Sequence, residues 1–132
     1  MNEKKKILNS LKWGKSVLNI LSYGKDLDPK TPATLIIRHS ERDEPEHFKD
    51  VITADLTERG LKTAFEFGRS LPANRNYRIY HSTVKRCQET AEEIHKGIQQ
   101  QKMKSQIVGS LNSLFEIKIG RKKFSKFVDK GY

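Results

Sequence analysis

"RIYHSTVKRCQETAEEI", residues 78–94, changes its period halfway along, and that change decides the fold. Arg78 to His81 is short and apolar or aromatic in the middle, and it is entered from a turn region, Pro72 to Asn76; it predicts a strand. From about Val84 to Gln101 the residues Cys87, Ala91, Ile94 and Ile98 recur at helical spacing. Glu92 stands four residues before Lys96 on the opposite, wet face of this helix. A strand that passes into a helix through Ser82 and Thr83 is one βα unit.

The alternation continues on both sides. Upstream, Ala33 to Arg38 carries the unbroken apolar run Leu35, Ile36, Ile37, the pattern of a strand buried on both faces. An acid-rich loop with Pro45 follows from Ser40 to Asp55, and Thr57 is placed to cap a helix over about residues 58–70. Its inward stripe is expected to be Leu61, Ala64, Phe65, Gly68 and Leu71. Downstream, Ile107 and Val108 suggest a third strand. Strands alternating with helices predict an α/β fold: a three-layer α/β/α sandwich around a mostly parallel, Rossmann-like sheet.

At 132 residues the chain is long enough for one domain with a core. Its single cysteine, Cys87, excludes an internal disulfide framework and suits a reducing, cytoplasmic setting. At helical spacing beside Ala91, that cysteine is expected in the core rather than in redox chemistry. The net charge of +10 is concentrated at the two ends: residues 1–30 hold seven basic against three acidic residues, and residues 118–132 hold six against one. The central body is nearly balanced and lacks basic residues interleaved with aromatics, so no nucleic-acid partner is expected.

Residues 1–30 form their own unit, a basic amphipathic helix with a linker, ahead of a main domain over 31–132. Ile7, Leu8, Leu11, Leu18 and Leu21 recur at roughly helical spacing, with lysines largely elsewhere around the helix. The apolar runs are too short for a membrane span. Packing against the domain is the plainer expectation; peripheral contact with a membrane or partner through residues 1–30 is the alternative.

In a parallel sheet the carboxyl ends of the strands share one edge, where ligands bind. Arg38 and His39 end the first predicted strand, and Ser82, Thr83 and Arg86 follow the second. Taken singly, Arg86 three residues before Glu89 reads as a surface ion pair, and an Arg-His pair at a strand end as a structural one. Gathered at one rim, two forked guanidiniums, a helix N-terminus and an imidazole suit a phosphate and its transfer.

Three pieces, "LIIRHSERDE" (35–44), "DLTERGLKTAFEFGRSL" (55–71) and "IYHSTVKRCQETAEEI" (79–94), occur in an order and spacing that resembles the histidine phosphatase superfamily, which includes phosphoglycerate mutase-like enzymes. The resemblance implies that His39 accepts the phosphoryl group and that Arg38 and Arg86 bind its oxygens, with Ser82 beside them. "LFEIKIG" is similar to a further family segment and implies Glu116 as proton donor to the leaving group. Ser40 stands where the family usually has glycine, and Thr83 where it usually has proline. The family's second active-site histidine has no counterpart: His47, His81 and His95 lie in other contexts, and the chain reads as the amino-terminal part of a longer domain, its sheet incomplete at the C-terminus.

The expectation is a metal-independent phosphomonoester hydrolase, without cofactor, working through a phosphohistidine on a phosphorylated small molecule or phosphoprotein. The alternative is a catalytically silent phosphate-binding or interaction module.

Overall fold

The computed structural model describes residues 8–10 and 14–111. In chain order these form α1 (Gly14–Asp26), a 3-10 turn (Phe48–Val51), α2 (Glu58–Ser70), β1 (Tyr77–His81), α3 (Lys85–Gln100) and β2 (Ser105–Ser110). β1 and β2 pair in parallel with α3 between them in sequence, so the fold is α/β with a parallel sheet, as the alternation predicts. Register runs from Tyr77 opposite Ser105 to Ile79 opposite Ile107, then slips past Val108, so that Tyr80 faces Gly109 and His81 faces Ser110.

The first predicted strand does not form. Ala33–Arg38 belongs to no ladder among the described residues, and Leu35, Ile36 and Ile37 are 50%, 88% and 42% exposed. An apolar run can satisfy its backbone as a strand only beside another strand. Here β1 pairs with β2, and the nearest bridge comes later, Arg42 opposite Leu56, antiparallel.

α2 starts where a threonine can start it: the Thr57 hydroxyl accepts from the Gly60 amide, the expected N-cap. Its buried face holds Gly60, Ala64, Phe67 and Gly68, so Phe67 takes the core position expected for Phe65. Both aromatics border the same stripe, and period alone does not choose between them. α3 buries Thr90, Ala91, Ile94, Gly97 and Ile98, while Cys87 is only half-buried. Lys96 pairs with Glu93 at 2.5 Å rather than with Glu92, which accepts from Gln88. Both spacings are within reach on a helix.

The two helices cross through glycines. A Cβ on Gly68 would press on the Ile94 carbonyl, and one on Gly97 would press on the Phe65 carbonyl and lie 2.7 Å from the Arg69 nitrogen. The absence of both side chains lets the backbones touch, and Ala64, Phe67, Ile94 and Ile98 close around the contact. Leu8 and Leu21 join the same cluster, with Val17, Leu18 and Ile20 packed against it, so the amphipathic stripe of α1 rests on the core. Beyond α1, Arg75 donates to the carbonyls of Leu27, Asp28 and Thr31 and ties the linker to the turn before β1. Among the described residues no helix is long and apolar enough to cross a membrane.

Candidate active site

The segment after Arg38 is pinned where α2 and α3 begin. The Ser40 amide donates to Thr90 Oγ1 on α3 at 3.0 Å, and the Ser40 hydroxyl donates to the Gly60 carbonyl on α2 at 2.6 Å. The Thr90 hydroxyl in turn donates to the Arg86 carbonyl at 2.7 Å. Glu41 completes the attachment: its carbonyl accepts from the Thr57 amide, and its carboxylate accepts from the Thr57 hydroxyl and from the Arg59 fork at 2.8 to 3.0 Å. A side chain on Gly60 would press on the Glu41 carbonyl, so glycine is what admits the segment this close. The serine that replaces the family's usual glycine at position 40 is thus a bonding residue, joining two helices through one side chain and one amide.

This anchoring holds His39 half-buried. Its Nδ1 lies 2.7 Å from the Ser40 carbonyl, which can only accept, so the hydrogen bond requires the proton on Nδ1 and leaves the lone pair on Nε2. Burial holds the imidazole below its usual pKa; the bond to Ser40 opposes this, and the charges of Arg86, Arg38 and Arg42 add to it. These influences favour the neutral imidazole, in which Nε2 carries the lone pair.

Arg86 reaches away from the helix to the 40–55 loop, where Nη1 donates to the carbonyls of Val51 and Ile52, both at 2.8 Å. The surface pairing with Glu89 does not occur; Glu89 lies 3.6 Å from Lys85 instead. Burial, together with Arg42 and Arg38, lowers the Arg86 pKa, against a raising influence from Cys87, though a guanidinium remains charged at neutral pH. Its Nε is buried without a hydrogen-bond partner among the described residues. A buried donor with no acceptor is costly, and an oxyanion would satisfy it. The start of α3 adds to the imbalance: its first turn has no acid, Val84 gives no side-chain cap, and Lys85 and Arg86 stand at the positive end of the dipole.

Arg38 is exposed, and its charge, like that of Arg86, bears on the His39 imidazole. Ser82 sits in the β1–α3 connection, where its carbonyl faces His81 Nδ1 at 2.8 Å; Glu116 lies outside the described residues. His47 is exposed, and His95 is half-buried with Nδ1 2.7 Å from the Ser105 hydroxyl. Sequence reasoning passed over Arg42, whose side chain is only 15% exposed and whose charge reaches both His39 and Arg86. Its signal was the spacing of three residues from His39 inside an already singled-out stretch. Thr90 was also missed, being one more polar residue on a helix until its bond to Ser40 is seen. No group of three or more His, Cys, Asp or Glu side chains among the described residues is arranged to hold a metal ion.

A scan against family models matches residues 34–121 to the histidine phosphatase superfamily (branch 1), and the chain belongs to that superfamily. Neither the search of curated proteins nor that of solved structures gives a match.

Proposed function

We propose that the chain hydrolyses phosphomonoesters through His39, without a metal. The observation that carries this reading is the half-buried His39 ring, its Nδ1 held by the Ser40 carbonyl and its neutral form favoured by burial and by the charges of Arg86, Arg38 and Arg42. Guanidiniums drain charge from the phosphoryl oxygens, and the uncharged nitrogen can then approach phosphorus. Nε2 forms a bond to phosphorus as the bond to the ester oxygen breaks, and the departing alkoxide takes a proton from an acid, for which Glu116 is the candidate. Water then attacks phosphorus, gives its proton to the resulting carboxylate, and the P–N bond breaks to restore His39. Ser82 and the uncapped start of α3 are the further groups proposed to face the phosphoryl oxygens. The substrate is a phosphorylated small molecule or phosphoprotein, and a reducing cytoplasm is the proposed setting, consistent with the free thiol of Cys87. Residues 1–30 are assigned to packing rather than to a membrane, because Leu8 and Leu21 are already spent on the core.

A second reading, phosphate binding without turnover, is favoured by the remaining histidines: His81 and His95 are engaged locally by Ser82 and Ser105, and His47 is exposed. Turnover of 4-nitrophenyl phosphate decides between them. Hydrolysis that survives a chelator and disappears in His39→Ala supports the enzyme; phosphate binding with no turnover supports the silent module.

A further inference from the structure

We propose that Phe48 and Ile52 form the leaving-group side of this site and select phosphomonoesters of apolar, above all aromatic, alcohols; the inference rests on the phosphate-site reading above. Arg86 Nη1 has two hydrogens, and both are given to the 40–55 loop, one to Val51 O and one to Ile52 O. Whatever oxyanion the rest of that guanidinium holds has residues 51 and 52 as neighbours by construction. Lys85, one residue earlier on α3, adds a second pin through Asp55 at 2.6 Å.

The pinned segment is a compact helical turn, closed by bonds from the Asp50 amide to His47 O and from the Thr53 and Ala54 amides to Asp50 O. Phe48 opens the 3-10 turn and Ile52 caps its end, so both ride on the segment that Arg86 holds. They are 69% and 61% exposed. Single exposed apolar residues are ordinary on any surface. This pair differs because it rides on the segment whose carbonyls grip Arg86, among polar neighbours His47, Lys49, Asp50 and Thr53. The guanidinium charges that bear on His39, those of Arg86, Arg38 and Arg42 with its partner Glu44, suit the phosphoryl dianion, and the apolar pair is left for the uncharged part of the ester. A ring seated against Phe48 and Ile52 would gain affinity of about tenfold over a methyl group, in the range a hydrophobic pocket achieves.

Phenylphosphonate and methylphosphonate test this directly, since they share a head group, differ in apolar bulk and have no ester to cleave. Titration calorimetry on the full chain compares the wild type with the double variant Phe48→Ser/Ile52→Ser, whose positions are exposed enough to spare the core. The wild type should bind the phenyl compound about tenfold more tightly, and the variant should lose that preference while keeping its affinity for the methyl compound. Equal affinities in the wild type, or a preference that persists in the variant, would overturn the assignment. Loss of both ligands in the variant also overturns it, since the pair would then merely hold the loop on Arg86. If the wild type binds neither phosphonate, the underlying phosphate site is refuted, an outcome distinct from a missing preference.

Discussion

Gly68→Ala should destabilise the protein although it improves a helix. In an exposed helix the substitution gains about 1 kcal/mol, because glycine loses the most backbone freedom on folding. Here the new methyl would press on the Ile94 carbonyl, with Ile94 C at 2.8 Å and Ile94 Cα at 2.9 Å. Carbon atoms pack best at about 3.5–4.0 Å, so α2 and α3 must separate by roughly 1 Å at the crossing. The obstacle is backbone, which no rotamer change can move aside. Overpacking of this kind costs about 1–3 kcal/mol, and the upper end applies because separation also loosens Phe67, Ile94 and Ile98. The net loss is then about 2 kcal/mol, which for a chain of this size lowers Tm by roughly 6–10 °C. Urea denaturation followed by far-ultraviolet circular dichroism measures it as a lower midpoint at unchanged slope. An increase of about 1 kcal/mol, the value for a solvent-facing helical glycine, would refute the glycine-mediated crossing.

Two further outcomes are expected. His39 should titrate below 6.5, because burial and the three arginine charges outweigh its bond to Ser40; the midpoint followed by NMR should rise in Arg42→Gln, and an unchanged midpoint would remove Arg42 from the site. The folded pKa lies below the unfolded one, so the unfolded chain binds the extra proton first: this contribution to stability is complete above pH 6.5 and is lost as pH falls through the folded value. Ile36→Lys should change stability by no more than about 0.5 kcal/mol, since Ile36 is 88% exposed, whereas a lysine in a central strand would cost several kcal/mol and place residues 33–38 inside a sheet.

Where local chemistry settles the structure, the sequence was readable. Thr57 and the glycine three residues on fix the start of α2, and the change of period after His81 marks β1 and α3. Residues 33–38 could not be read the same way, because an apolar run states what the side chains tolerate and not which strand lies alongside. The exchange of Phe65 for Phe67 has a similar origin: the inward face of α2 is set by where Gly68 meets Gly97, a tertiary contact that no single helix records. At the site, the ordered motifs pointed to His39, Arg38 and Arg86; both arginine charges bear on the imidazole, with Arg86 held by the 40–55 loop and Arg38 exposed. The grip of Arg86 on Val51 and Ile52 was not legible, since it joins residues more than thirty positions apart through carbonyls that every residue possesses.

The central claim is that the His39 Nε2 lone pair is the nucleophile, because Nδ1 is committed to the Ser40 carbonyl. Rapid quenching during turnover of a phosphomonoester, in alkali to preserve phosphohistidine, followed by peptide mass spectrometry and phosphorus NMR, locates the phosphoryl group by residue and by ring nitrogen. The account predicts an acid-labile phosphate on His39 Nε2, absent from His39→Ala. Turnover with the label on Nδ1, on another residue such as Cys87, or on no residue at all would contradict it.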